Sequence, residues 1–280
     1  MPQRARAFAQ VDVFGAEPYQ GNPVAVVLDA SDLTENAMAR FARWTNLSET
    51  TFVLPPTTPE ADYRLRIFTP GAEIPFAGHP TLGSAHAWLA AGGSPRRGDV
   101  LVQECALGLV QLRREPDQLL FRAPPLLRTG PLEEELLTRI ARGLRIDPKA
   151  VVAHQWVDNG PGWAAVQLAT AAEVLALEPD DALMGDLMVG VVGAHPAGAP
   201  EQFELRAFCA PVGVREDPVT GSLNAGVAQW LIGTGAAPAT YRAAQGSRVG
   251  CRGQITVRQE DGETWVGGAS TTSITGEVRL

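Results

Sequence analysis

The 280-residue sequence predicts an α+β fold of two similar lobes, each a barrel-like sheet wrapped around one central helix. Two observations lead there. The stretches Glu73-Ile74-Pro75-Phe76-Ala77-Gly78-His79 and Glu216-Asp217-Pro218-Val219-Thr220-Gly221-Ser222 are near-copies half a chain apart, each preceded by an Arg-x-Phe strand end (Arg66/Phe68 and Arg206/Phe208). A repeat of that kind marks two related structural halves. Each copy also runs into a short helix signal, with Leu82, Ala85 and Leu89 in the first and Leu223, Val227 and Trp230 in the second at helical spacing. A helix apolar on most sides has to be wrapped, and the 29 Gly and 22 Pro suit many short strands and turns around it.

In chain order, Val11–Phe14 and Val24–Leu28 read as strands separated by the turn signal Gly21-Asn22-Pro23. Residues 33–44 show an apolar face (Leu33, Ala37, Phe41, Trp44) with Ser31 or Thr34 as cap, and Thr51–Leu54 and Tyr63–Phe68 follow as strands. Residues 100–103, 109–112 and 119–121 are further short strands. Past the Ala123-Pro124-Pro125 break, Leu132–Leu144 is an amphipathic helix, and Thr170-Ala171-Ala172-Glu173 is a capping box. Strands are expected at 164–168, 187–192, 203–208, 254–258 and 264–267. The expected lobes are residues 1–125 and 126–280, with the last strand free to return to the first lobe.

Composition excludes several classes. A net charge of −8 with no basic run gives nucleic-acid binding no electrostatic support. No apolar stretch approaches a membrane span and no signal-peptide pattern opens the chain, so a cytoplasmic location is expected. The three cysteines (Cys105, Cys209, Cys251) lack metal-ligand spacing, and no His/Cys/Asp pattern suggests a metal site. Lys149 is the only lysine and has no Gly-rich loop beside it, which argues against a P-loop or a pyridoxal-phosphate Schiff base.

The repeat carries the chemistry. His79-Pro80-Thr81 places proline at a first helical position, and Ser222 is a favoured N-cap after Gly221. Free N–H groups and the positive dipole end at such termini suit a carboxylate, and two of them facing one cleft would hold an anion. Ordinary capping accounts for a lone terminus; the duplication argues for a site. Glu49, in Asn46-Leu47-Ser48-Glu49-Thr50-Thr51, stands between a helix and an apolar strand and is the leading acid–base candidate. The matching stretch near Leu187-Met188-Val189 has no acid, which suits one-base proton transfer better than two-base racemisation. Asp217 replaces Ile74 in the repeat, and His79 is a candidate donor or second acid.

Gly21-Asn22-Pro23-Val24-Ala25-Val26-Val27, Asn46-Leu47-Ser48-Glu49-Thr50, Pro75-Phe76-Ala77-Gly78-His79-Pro80-Thr81 and Glu216 through Ser222 together resemble the phenazine-biosynthesis PhzF-like isomerases. The resemblance implies a diaminopimelate-epimerase-like fold of two pseudo-symmetric lobes with an active-site cleft between them. It implies Glu49 as the proton-shuttling residue, with His79, Asp217 and Ser222 in support. Gly78, Gly221, Ser222 and Asn22 would hold a small carboxylate-bearing substrate. It further implies no cofactor, a homodimer, and an activity like trans-2,3-dihydro-3-hydroxyanthranilate isomerisation. An epimerase or racemase using carboxylate bases, or an inactive small-molecule-binding homologue, is the alternative. Racemases of this fold use a cysteine from each lobe where this chain has Gly-His and Gly-Ser, which disfavours a two-thiol mechanism.

Overall fold

The computed structural model describes residues 4–15 and 17–280. The chain divides into two compact units: the part up to Arg122 together with Gly267–Leu280, and Ala123–Val266.

The first unit contains β1 (Ala5–Val13), β2 (Asn22–Val27), α1 (Glu35–Thr45), β3 (Glu49–Leu54), β4 (Tyr63–Phe68), β5 (Glu73–Ile74), α2 (Gly78–Ala90), β6 (Val100–Cys105), β7 (Gly108–Arg114) and β8 (Leu119–Arg122). In β4, Tyr63, Leu65 and Ile67 are buried while Arg64 and Arg66 point outward, the period-2 pattern of a strand with one face on a core. Helix α1 starts two residues later than its apolar pattern suggests because Thr34 is the cap, its Oγ1 accepting from the Ala37 N–H at 3.3 Å. Gly21-Asn22-Pro23 is not the turn. Asn22 and Pro23 already belong to β2, and the turn precedes them, held by the buried Asp12 carboxylate accepting from the N–H groups of Gln20 (2.9 Å) and Gly21 (3.1 Å).

The second unit contains α3 (Glu134–Leu144), β9 (Ala153–Trp156), β10 (Trp163–Thr170), α4 (Ala171–Ala176), α5 (Asp181–Met184), β11 (Met188–Ala194), β12 (Phe203–Cys209), β13 (Val214–Asp217), α6 (Gly221–Gly233), β14 (Thr240–Gln245), β15 (Gly253–Glu260) and most of β16 (Glu263–Gly268). The Thr170 capping box forms as expected, with Thr170 Oγ1 and the Glu173 carboxylate each accepting the other's backbone N–H. The final strand, β17 (Ser270–Arg279), pairs antiparallel with β1 in the first unit.

The two units repeat one topology. Strands β2 to β7 pair in the order parallel (β2–β3), antiparallel (β3–β4, β4–β5), parallel (β4–β6), antiparallel (β6–β7). Strands β10 to β15 follow the same order: β10–β11 parallel, β11–β12 and β12–β13 antiparallel, β12–β14 parallel, β14–β15 antiparallel. In each set the repeated helix, α2 or α6, is mostly buried along its length. Both helices carry glycine at their sixth residue for close approach. A Cβ on Gly83 would lie 2.4 Å from Val24 Cγ1, and one on Gly226 would lie 2.3 Å from the Val157 carbonyl oxygen.

The repeated Arg-x-Phe and Glu residues form the same clamp twice. Arg66 grips Glu73 through Nε (2.7 Å) and Nη2 (2.5 Å), and Arg206 grips Glu216 through Nε (2.9 Å) and Nη2 (2.7 Å). Each guanidinium also lies over the phenylalanine two residues on, at 5.2 Å and 4.9 Å from the ring centre. Bidentate geometry makes this the strong form of the arginine–carboxylate bond. The copies differ in burial. Side-chain exposures are 19% and 31% in the first clamp but 5% and 10% in the second, where Arg206 Nη1 also donates to the carbonyls of Val174 and Leu177.

Burial decides the cost of breaking each clamp. Arg206→Met is expected to lower stability by about 3–5 kcal/mol, because Glu216 is left as an uncompensated buried charge, whereas Arg66→Met costs about 0–1 kcal/mol. Denaturant unfolding of the two variants checks this, and equal losses would contradict it.

Candidate active site

Glu49 is the first residue of β3, opposite Val24 of β2, and its side chain is 15% exposed. His79 is the second residue of α2 and its side chain is 4% exposed. The fold brings these two together, with Glu49 Oε2 lying 3.2 Å from His79 Nε2. Burial pushes the His79 imidazole down to about 3, so it is neutral at physiological pH. A neutral imidazole has one N–H and one lone pair. It lies beside the carboxylate without adding a charge.

Two sets of buried polar side chains tie α2 to its neighbouring strands. Ser84, two turns along α2, donates to Thr51 Oγ1 (2.8 Å), and Thr51 donates to the Ala25 carbonyl (3.3 Å). Gln103 on β6 donates to Thr81 Oγ1 in α2 (3.0 Å) and accepts from the Tyr63 hydroxyl (3.1 Å). Burial pushes the Tyr63 phenol up, so it stays a donor. Asn22 is fully buried at the start of β2, opposite Val13.

Both repeated helices begin earlier than their proline and serine suggest. Helix α2 starts at Gly78, which puts Pro80 third; its missing N–H is harmless there, since the first intrahelical bond of the turn is Thr81 N–H to the Ala77 carbonyl. Helix α6 starts at Gly221 with Thr220 as cap residue, so Ser222 is not the N-cap but the second helical residue. Thr220 takes the cap position because its carbonyl accepts the first helical bond, from Asn224 N–H, and its hydroxyl is drawn to Asp217 Oδ2 (2.6 Å). His79 and Ser222 therefore hold the same place in the two helices. Asp217 and Ile74 likewise hold matching places in register, Asp217 opposite Ala207 and Ile74 opposite Ile67.

The matched positions carry different chemistry. In the second unit the first pair of the parallel β10–β11 ladder is Trp163–Met188, where β2–β3 has Val24–Glu49. The apolar Met188 thus stands where the first unit has its carboxylate. Ser222 Oγ accepts from the Trp163 indole N–H (3.0 Å), and the Ser222 carbonyl accepts from the Asn159 side-chain amide (2.9 Å). The remaining histidines have partners of their own: His86 with Thr272 (2.9 Å), His154 accepting from the Leu132 N–H (3.0 Å), and His195 with the buried Glu204 (3.1 Å). Cys105, Cys209 and Cys251 are free thiols. Among the described residues no group of His, Cys, Asp and Glu is placed to hold a metal, and no helix is long and apolar enough to cross a membrane.

A mixed α/β fold of this kind matches known proteins. The chain belongs to the phenazine biosynthesis-like (PhzC-PhzF) family, whose model matches residues 11–276. It is an isomerase of that family. One relative, antisense-enhancing sequence 1 of Schizosaccharomyces pombe, is 35% identical over 97% of this chain and 98% of its own length. The trans-2,3-dihydro-3-hydroxyanthranilate isomerase of Pseudomonas aeruginosa is 38% identical over 77% of this chain and 76% of its own length. The crystal structure of a PhzF-family protein from Enterococcus faecalis superposes with a TM-score of 0.82 at 24% identity, covering 99% of this chain and all of that one.

The burial of neutral His79 links stability to pH. With a folded value depressed below the ordinary 6.5, the unfolded chain binds the extra proton between about 6.5 and about 3. Its contribution is therefore complete above that window and lost as pH falls through it, at up to about 1.4 kcal/mol per pH unit. The His79→Gln variant is expected to show a shallower loss of unfolding free energy over the same range; an unchanged slope in denaturant titrations would contradict the assignment.

Proposed function

We propose that this chain is a cofactor-independent isomerase that moves a proton between two positions of a small carboxylate-bearing substrate, with Glu49 as the single acid/base. The observation that carries the reading is the buried Glu49–His79 pair, at 3.2 Å, in a unit whose topological copy has Met188 in place of the acid. The isomerase relative at 38% identity supports trans-2,3-dihydro-3-hydroxyanthranilate as the substrate to test first.

The steps balance without an external reagent. The Glu49 carboxylate takes a proton from an activated C–H, the electron pair shifts into the substrate's π system, and the protonated Glu49 returns the proton to a second carbon. The double bond moves and nothing is oxidised or reduced. His79 stays neutral throughout, a polar neighbour 3.2 Å from the Glu49 carboxylate that adds no charge to the site. The first-turn N–H groups of α2, at Gly78 and His79, have no partner four residues back and suit a substrate carboxylate, with the buried Asn22 as a further polar contact. In the second unit the first turn of α6, at Gly221 and Ser222, offers the same chemistry, with the Asp217 carboxylate just before it. Each unit is read as a barrel-like sheet around its buried helix, and the chain as a homodimer.

The decisive measurement is deuterium incorporation from solvent into trans-2,3-dihydro-3-hydroxyanthranilate. Glu49→Gln should retain ligand binding and lose exchange by about 10²–10⁴-fold. Full exchange in that variant would remove Glu49 from the reaction. Inversion at a single stereocentre, with deuterium retained on that same carbon, would make the chain an epimerase instead.

A further inference from the structure

Gln245 ends β14. Its side chain is 1% exposed and makes four hydrogen bonds. Nε2 donates to the Asp217 carbonyl (3.0 Å) and to Thr220 Oγ1 (2.9 Å). Oε1 accepts from the Thr220 N–H (3.1 Å) and from Asn224 Nδ2 (2.9 Å). The amide cannot be turned round. A backbone N–H only donates and a backbone carbonyl only accepts, so the contacts with Thr220 N–H and the Asp217 carbonyl fix which end is oxygen.

That orientation has a consequence one bond further on. Because Thr220 Oγ1 already accepts a hydrogen bond from Gln245 Nε2, its own hydroxyl proton points elsewhere, and it donates to Asp217 Oδ2 at 2.6 Å. The amide therefore dictates the direction of the Thr220 hydroxyl, and the hydroxyl pins one oxygen of the Asp217 carboxylate. The main chain of Asp217 and the N-cap of α6 are tied down by the same side chain. The first unit has only a looser relative of this device: Gln103, on β6 two residues before the position that matches Gln245, ties Thr81 and Tyr63. Where Ile74 replaces the acid there is no carboxylate to aim.

We infer that Gln245 is a positioning residue, which through Thr220 holds the Asp217 carboxylate in one orientation beside the first turn of α6. This rests on the reading that Asp217 supports Glu49 in the proposed reaction.

Thr220→Val removes only the aiming hydroxyl, Thr220→Ser keeps it, and Gln245→Leu removes the whole anchor. Val166→Ala, in the core of the same unit, is the comparator for a general loss of stability. With trans-2,3-dihydro-3-hydroxyanthranilate as substrate, Thr220→Val and Gln245→Leu should lower kcat on the order of 10–100-fold, with KM within about threefold of the parent, while Thr220→Ser and Val166→Ala keep the parent kcat. A Thr220→Val enzyme with parental kcat, or one altered in KM alone, overturns the inference. If the parent chain does not turn over this substrate, the functional proposal fails for that substrate and the positioning claim is decided without turnover. The carboxylate ¹³C resonance of Asp217 should then move in Thr220→Val and stay in Val166→Ala; an unmoved resonance in Thr220→Val overturns it.

Discussion

The constraint on which the rest depends is that α2 and α6 begin inside the protein. The first N–H groups of a helix have no intrahelical partner, and burying them without one is costly. Near-complete burial of Gly78 to Ala85 and of Gly221 to Ala228 therefore forces polar groups into an otherwise apolar interior. In the second unit Gln245 takes up the Thr220 N–H at the start of α6 and Asn224 beside it, and in the first Gln103, Thr81 and Tyr63 bond one another alongside α2. A first turn kept polar and shielded from water is also a place where an anion can be held and a carboxylate can work at low dielectric. Packing and chemistry have one origin here.

From that shared frame the units diverge at the positions that carry the polar chemistry. The position that holds Glu49 in β3 holds Met188 in β11, and the helical position that holds His79 holds Ser222. Ser222 is taken up by Trp163 and Asn159, whose hydrogen bonds secure the turn, whereas His79 is set against a carboxylate. Asp217 shows the opposite bias, an acid where the first unit has Ile74. The symmetry of the backbone thus coexists with an asymmetric distribution of acids. Thiol pairs of the racemase kind have no counterpart, since Cys105 lies on β6 and Cys209 at the end of β12.

What could be read in advance follows from local rules. Duplicated motifs, apolar helix spacing, the Thr170 capping box and the β4 alternation are all local signals, and each found its element. The boundaries of α2 and α6 were misplaced because proline and serine are equally content one or two residues inside a helix, and only the chain path shows which residue is the cap. Strands β5, β9, β13, β14 and β17 are not among the expected ones. In β14, Thr240-Tyr241-Arg242-Ala243-Ala244-Gln245 is rich in alanine, and β17 is a run of serine and threonine; both are strands because of their neighbours, not their own propensity. Glu49 and His79, 30 positions apart by residue number, were each legible as candidates, yet their meeting at 3.2 Å depends on the β3–α2 packing. Gln103 and Gln245 carried no signal, since a buried glutamine looks like a surface one until its partners are known.

The twin Arg–Glu clamps carry a further consequence for how the two halves can drift. Around Arg66 and Glu73, water can take over for either partner, so single changes on that side leave intermediates that still fold. Around Arg206 and Glu216 no such relay exists, because every one-residue step passes through a buried charge without its counter-ion. The second pair is replaceable only as a unit. An ancient duplication would therefore keep its imprint longest in the half where it is sealed from solvent, and fade first where it is wet.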